Sequence, residues 1–312
     1  MVSVSRFDAA AREEWDRFIA ESKNGTFLFH RAYMDYHSSR FRDHSLLFRE
    51  GGKLVATMPA SQHGPELVSH GGLTYGGILS GRQMKSAAML EIFNVLRDHA
   101  RREAITRLVY KRVPFIYHDL PSEEDLYALF RTGATLSRRD VSSAIAAAER
   151  PAYSRMRQRR IDKSGRAGLT IGRSDDFAGF MRVQEALLKT RYGVKPVHTA
   201  EEITLLAGRF PENVKLFTAT KDGRLTAGVL IYESRNVAHA QYIAATEEGR
   251  ELSALDAVFD VLLSVEYRHK PYFDFGISTE QEGQYLNVGL IENKESYGAR
   301  AVVYDTYELL FT

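Results

Sequence analysis

Cysteine is absent from the 312 residues. That removes disulfides, thiolate nucleophiles and cysteine-ligated zinc from consideration. No apolar run approaches the roughly 18 residues that a bilayer-spanning helix needs, so no transmembrane segment is expected. The opening stretch MVSVSRFDAAAREEWDRF lacks the apolar core of a secretory leader, and the expected location is the cytoplasm. Charge of one sign is scarce too. A net charge of +2 is too small to indicate nucleic-acid binding by itself. The histidines form no HExxH or other metal spacing, and no metal is expected. GxSxG, a Walker loop and a Rossmann fingerprint after a strand are also missing, which weakens hydrolase and dinucleotide readings.

What the chain does have is a repeated pattern. EGGKLVATMPAS around Gly52 and KDGRLTAGVLIYES around Gly223 each place a glycine at a turn, followed by a basic residue, leucine and an apolar run. Both read as two-residue hairpin turns feeding a strand. The following elements match as well: a strand-like run (Leu67 to Leu79; Val237 to Ala245), a long amphipathic helix (about 83–103; about 252–268) and a short strand (Arg107 to Val113; Tyr272 to Ile277). Two copies of one α/β unit are therefore expected, divided at 1–150 and 151–312. Around them, helices are expected at 8–22, 31–37, 123–132 with Ser122 as N-cap, 152–165, 175–191, 200–209 and 282–296. Thr199 and Glu202 have capping-box spacing for the helix at 200–209. HGGLTYGGILSG (70–81) reads as a glycine-rich strand edge, and strands close the chain over 299–311. The order predicts a mixed, mainly antiparallel sheet flanked by helices in each unit, not a regular βα barrel.

Chemistry concentrates in the second half. The junction QYIAATEEGRELSALDAVFDVLL (241–263) runs from a strand into a helix N-terminus, where free amide groups favour anions, and Gly249 and Arg250 sit in the loop. SRMRQRRIDKSGR carries Arg155, Arg157, Arg159, Arg160, Lys163 and Arg166 against Asp162. It fits either a solvated helix face or an anion-binding wall for phosphates of a cofactor, nucleotide or tRNA. KTRYGVKPVHT groups Lys189, Arg191, Tyr192, Lys195 and His198 around Pro196, the composition of a substrate-binding loop or of a solvated helix end. Asp274 and Glu280 flank the end of a strand and are candidates for a proton acceptor; structural pairing with arginine is the alternative. Tyr242 and Tyr285 are candidate proton donors or packing residues.

The strand–helix junction resembles the pyrophosphate loop of GNAT N-acyltransferases. Of that loop's Arg/Gln-x-x-Gly-x-Gly/Ala pattern only Gly249 and Arg250 are echoed, and Glu247 and Glu248 oppose a phosphate. Two such units in one chain, together with RQRRIDKSGRAGL, LKTRYGVKPVHTAEEI and FDFGISTEQEGQYLNVGLIENKESYGAR, are similar to the Fem family of non-ribosomal aminoacyltransferases and their relatives in polysaccharide and envelope biosynthesis. The last segment carries Asn287, Gly289, Leu290, Lys294 and the Tyr297-Gly298 pair. No heptad run is long enough for the coiled-coil insertion of one Fem branch.

The resemblance implies attack by a neutral amine on an activated acyl carbonyl. The expected donor is an acyl-CoA or acyl-carrier-protein thioester and the acceptor an amine of an amino sugar, an amino acid or an envelope precursor. A Fem-like aminoacyl-tRNA donor is the first alternative, a non-catalytic binding module the second. The expected site comprises Asp274, Glu280, Tyr242 and Tyr285 for catalysis, with Lys189, Arg191, Tyr192, His198, Tyr75, Asn287 and Lys294 on the substrate and Gly249, Arg250, Arg159 and Arg160 on the donor.

Overall fold

A computed structural model describes residues 1–311, without the side chains of Arg191 and Tyr192. Two compact units emerge: Met1–Val141 with Glu280–Tyr285 and Val303–Thr312, and Ser142–Thr279 with Leu286–Val302. Each of the four divisions falls inside a strand, so each unit takes pieces from separated parts of the chain.

In chain order the first unit contributes β1 (Val2–Arg6), α1 (Arg12–Glu21), α2 (Arg31–Met34), β2 (Leu46–Glu50), β3 (Lys53–Met58), β4 (Ser61–His63), β5 (Glu66–Val68), β6 (Leu79–Ser80), α3 (Ser86–Arg102), β7 (Arg107–Lys111), α4 (Glu124–Arg131) and the start of β8 (Thr135–Ala146). Then come α5 (Arg155–Gly165), β9 (Thr170–Ser174), α6 (Phe177–Tyr192), α7 (Ala200–Arg209), β10 (Val214–Lys221), β11 (Arg224–Glu233), β12 (Val237–Ala245), α8 (Glu247–Glu251), α9 (Ala254–Val261) and β13 (Tyr272–Ile277). The two-residue strands β14 (Thr279–Glu280) and β15 (Tyr285–Leu286) precede α10 (Val288–Glu295) and β16 (Arg300–Leu310).

Element for element, β1-α1-α2-β2-β3 corresponds to β9-α6-α7-β10-β11, and β6-α3-β7-α4-β8 to β12-α9-β13-α10-β16. Both hairpins are as expected. Glu50 pairs with Lys53 across Gly51-Gly52, and Lys221 with Arg224 across Asp222-Gly223. All four turn residues have positive φ, from +48° to +82°, which is why asparagine, aspartate and glycine suit such turns. In the first unit β1, β2, β3 and β6 form an antiparallel sheet, and β5 and β16 flank β7. In the second unit the order is β8-β13-β12-β11-β10-β9, antiparallel throughout except for the parallel β12–β13 pair.

Apolar spacing builds the cores. Met89, Ile92, Phe93, Leu96 and Ala100 form the buried stripe of α3 against Phe48, Met58 and Leu108. In the second unit Val258, Phe259 and Leu262 pack on Val229, Ile231, Phe273 and Phe275. The Thr199–Glu202 capping box is formed in both directions.

Several expectations are corrected. The run Leu67 to Leu79 is no strand: only Glu66–Val68 and Leu79–Ser80 pair, and the glycine-rich stretch between them is loop. Ser122 is not an N-cap, since α4 begins after Glu123. The helix expected at about 252–268 does start at Ser253, its N-cap at φ +57°, but its α-helical part (α9) ends at Val261 and a π-helical turn over Leu262–Glu266 follows. The helix expected from 282 starts only at Val288, because Gln281 and Glu282 have positive φ. The closing region is one strand, not a pair.

Buried histidines give the first unit a pH response. Burial holds His70 at about 3 and His99 and His118 at about 4, against an ordinary 6.5. His99 Nε2 meets His44 Nε2 at 2.9 Å, a contact that two imidazolium rings cannot keep. The unfolded chain binds protons here that the folded chain refuses, so stability falls as pH drops from about 6.5 toward 4. Denaturant unfolding at pH 7, 5.5 and 4.5 is expected to show a progressive fall in midpoint; a flat midpoint contradicts this account.

Candidate active site

The second unit's sheet opens between β12 and β13. Their pairing is limited to Val237–Tyr272, Ala238–Phe273 and His239–Asp274, although both strands continue. Each carries a bulge beyond that point. On β12 the register against β11 shifts where Gln241 has no opposite residue; on β13 the register against β8 shifts between Asp274 and Ile277. A bulge bends its strand and strengthens its local twist, so the two strands part. Gly276, at φ +79°, makes the bend on β13.

A cavity of about 720 Å³ occupies the second unit around this opening. Ala238, Ala240, Phe273 and Phe275 share a core with α9, whereas Phe180 of α6 lies over Gly228 on the other face of the sheet. The cavity wall draws on both faces, with Leu255 and Phe259 from α9, Gln184 and Leu187 from α6, and Ile243 of β12. It therefore passes through the gap between the strands. A neighbouring cavity of about 610 Å³ shares Leu187, Ala245 and Arg250 with it and extends along α6. Arg160, Lys163 and Arg250 contribute cationic groups to the larger one.

Lys294 comes from α10 into this cavity. It is 5% exposed, and its Nζ donates to the carbonyls of Gly276 and Ile277 at 2.8 and 2.7 Å, where β13 ends its pairing. Burial pushes its pKa down to about 8, with the charge of Asp274 pulling the other way. An ammonium has three donors, and among the described residues Lys294 uses two. Gln184, 6% exposed, also faces the cavity, and its Oε1 has no hydrogen-bond partner among the described residues.

On the sheet face opposite α9 sits Asp274, fully buried at the last residue pair before the gap. Its carboxylate accepts from Ser142 Oγ at 2.5 Å, from the Gly276 amide at 3.1 Å and from His239 Nδ1 at 2.8 Å. His239 was not singled out in the sequence. Thirty-five residues separate it from Asp274, and only the β12–β13 register makes them neighbours. The available signal was a histidine alternating with Ala238 and Ala240 on a strand that feeds a helix N-terminus.

The other sequence candidates distribute as follows. Tyr242 and His198 meet each other: Tyr242 Oη lies 2.7 Å from His198 Nδ1 and accepts from its amide at 3.3 Å, tying down the turn before α7. Burial raises the Tyr242 pKa. Asn287 caps α10, accepting from the Leu290 amide at 3.0 Å. Gly249 is buried where a Cβ would lie 2.1 Å from the Thr226 carbonyl. Arg250 reaches the Ala245 carbonyl at 3.3 Å, and Arg160 lines the cavity while Arg159 does not. Lys189 is exposed; the side chains of Arg191 and Tyr192 lie outside the described residues. Glu280 and Tyr285 are exposed and belong to the first unit, as does Tyr75, buried against Tyr117 with ring centroids 4.6 Å apart.

Arg157 departs most from the picture of a basic wall. It is 2% exposed and donates to Asp256, Tyr297, Ser296 and Asn293, with its guanidinium 3.8 Å from the Tyr297 ring centroid. Five N–H groups so engaged leave nothing for a phosphate. Removing one partner of a buried ion pair costs about 3–5 kcal/mol, so Arg157→Ala is expected to lower unfolding stability by that amount. Arg159→Ala is expected to change it by less than about 0.5 kcal/mol. Equal effects in denaturant titrations would contradict the assignment.

Known proteins bear on the site as follows. Residues 149–284 match the family profile described as Acetyltransferase (GNAT) domain. No curated protein matches the sequence. Among solved structures the chain is similar to FemX, with a TM-score of 0.69 at 10% identity over 97% of this chain and 96% of that one. It is also similar to the C-terminal domain of a protein described as a lysylphosphatidylglycerol synthetase from Agrobacterium fabrum, with a TM-score of 0.64 at 12% identity over 98% and 92%. A tandem GNAT protein from the clavulanic acid biosynthesis pathway superposes with a TM-score of 0.53 at 14% identity over 100% and 99%. Residues 149–284 thus match a GNAT acetyltransferase domain, and the chain has a tandem GNAT, Fem-like fold.

Proposed function

We propose that the protein is an N-acyltransferase that moves an acyl group from a thioester donor, acyl-CoA or acyl-carrier protein, to an amine of an amino sugar, an amino acid or an envelope precursor. The observation that carries this reading is the cavity running through the gap between β12 and β13, with Lys294 at its wall. A volume of about 720 Å³ is within the range of small-molecule sites. In this reading the extended arm of the donor lies in the cavity, its carbonyl beside the edge of β12 beyond His239, where no strand pairs. The unused N–H of Lys294 is available for the charge that develops on the carbonyl oxygen. Arg160, Lys163 and Arg250 face the anionic end of the donor.

One feature favours the aminoacyl-tRNA donor as a second reading. The turn after β12 is built against a pyrophosphate. Thr246 caps α8 by accepting from the Gly249 amide at 3.0 Å, Glu247 and Glu248 occupy the first turn, and Gly249 is packed under Thr226. Arg155, Arg159, Arg160, Lys163 and Arg166 meanwhile leave α5 with an exposed basic surface. The Fem-like fold and the lysyl group in one neighbour's name suit this alternative.

A donor panel separates the two. Stabilisation and transfer with acyl-CoA or acyl-carrier protein support the first. Binding of aminoacyl-tRNA with a steep salt dependence, weakened in an Arg159→Ala/Arg160→Ala variant, supports the second. Activity with neither leaves the binding-module alternative.

The Lys294 role has its own signature. With whichever donor is active, Lys294→Met is expected to lower the transfer rate by about 10²–10³-fold. The wild-type rate is expected to fall as pH rises through about 8, where Lys294 loses its proton. A variant that keeps the wild-type rate would remove Lys294 from the reaction.

A further inference from the structure

We propose that His239, oriented by Asp274, is the catalytic base that removes the proton from the attacking amine; the inference rests on the acyl-transfer reading above. Asp274 and Ser142 act through it as positioning residues.

The hydrogen-bond geometry sets the tautomer. Asp274 Oδ2 lies 2.8 Å from His239 Nδ1, and a carboxylate accepts without donating, so Nδ1 carries a hydrogen and, in the neutral ring, Nε2 holds the lone pair. The carboxylate is held from two further directions, by Ser142 Oγ at 2.5 Å and the Gly276 amide at 3.1 Å. Nε2 has no hydrogen-bond partner among the described residues, and the His239 side chain keeps 16% of its surface exposed, whereas Asp274 is fully buried. A buried carboxylate behind an imidazole with one open nitrogen is the arrangement of a general base with its orienting group. Ser142 is no nucleophile here, because its hydroxyl is given to Asp274 and does not meet Nε2.

Location supplies the second argument. His239 and Asp274 form the last pair before β12 and β13 separate, so His239 stands where the gap closes, next to the cavity rather than in its wall. The position a Cβ would take on Gly276 is 3.5 Å from His239 Cε1, and the Gly276 carbonyl is one of the two that hold Lys294. The dyad faces away from α9, on the side of the sheet that carries α6, opposite the core of Phe273 and Phe275. An amine arriving from that side meets a donor carbonyl held in the gap.

The step balances without any further reagent. The amine nitrogen forms a bond to the acyl carbon while its proton passes to His239 Nε2. The bond from the acyl carbon to the thioester sulfur breaks, or to the ribose oxygen for an aminoacyl donor. The leaving thiolate or alkoxide then takes the proton from the imidazolium. The products are an amide and a free thiol or hydroxyl, and His239 returns neutral.

The test has two arms. The first needs no donor: ¹⁵N NMR of the histidine side chains in the resting protein, with His239→Gln used for assignment. The expected result for wild type, at a pH where the ring is neutral, is hydrogen on Nδ1. In Asp274→Asn the carboxamide can donate instead, and hydrogen is expected to move to Nε2. Hydrogen on Nε2 in the wild type overturns the proposal. The second arm uses any donor active in the panel, with two acceptor amines, one strongly basic and one already neutral at the assay pH. His239→Gln is expected to lower the rate by about 10²–10⁴-fold, and Asp274→Asn by up to about 10⁴-fold through the wrong tautomer. Because a base matters most for a proton that is hard to remove, the His239→Gln deficit is expected to shrink with the neutral amine. An equal deficit for both amines, in a variant whose unfolding midpoint is unchanged, overturns the base role, as does a wild-type rate. A panel with no active donor overturns the acyl-transfer reading itself, and the base role with it.

Discussion

Between β12 and β13 the parallel ladder stops after three residue pairs because each strand bulges where it meets its other neighbour. Unpaired strand edges inside a protein are costly unless something satisfies their polar groups. Lys294 meets part of that demand by placing one ammonium against two carbonyls of β13. The same side chain is thereby drawn into the cavity at low exposure, and its pKa falls. The break in the sheet thus creates the cavity, positions the cation in it and, one residue pair earlier, places His239 beside Asp274. Continuing the ladder past that pair would remove all three features together.

Two buried cations in this unit show why position along the chain says little about role. Arg157 stands in the densest basic run of the sequence, yet it closes a network with Asp256, Tyr297, Ser296 and Asn293. That network joins α5 to α9 and to the end of α10. Lys294 stands alone among neutral and acidic neighbours, yet it keeps a donor unused at a cavity wall. A guanidinium presents a rigid planar fork that suits a closed network, whereas a compact ammonium shifts its pKa readily when buried. The exposed arginines of α5 remain a separate, solvated surface.

The duplicated plan was legible because it depends on local signals: two hairpin turns demanding positive φ, a capping box at Thr199–Glu202, and a strand at Tyr272–Ile277 read to the residue. Asp274 and Lys294 were also legible, the first as a carboxylate between two phenylalanines, the second within a segment similar to other acyltransferases. The rest depends on contacts distant in sequence. His239 gains meaning only through a strand register, Arg157 only through burial under α9. The exchange of chain ends between units, with β16 pairing on β7, has no local signal at all. The π-helical turn at Leu262–Glu266 was missed because the apolar pattern continues through it: Leu262 and Leu263 stay in the core while the backbone changes.

The first unit shows what the same plan does without the opening. Its counterpart of β12 is the two-residue strand β6, which pairs with β3. Only a single bridge, Gly76 to Arg112, links the segment before it to the end of β7. Tyr110 of β7 fills the space where the second unit has its gap. Its ring lies so close to Gly77 that a Cβ there would come within 2.6 Å, and its hydroxyl accepts from the Ile78 amide and donates to Asp125, each at 2.8 Å. Tyr110 is fully buried, and that burial raises its pKa well above the usual value. A neutral phenol bonded on both sides makes a plug, because it leaves neither a free donor nor room for an acyl chain. The same strand position that in the second unit separates beside a cavity is closed in the first by one aromatic side chain and a carboxylate. This contrast is the physical reason for reading the second unit as the seat of chemistry.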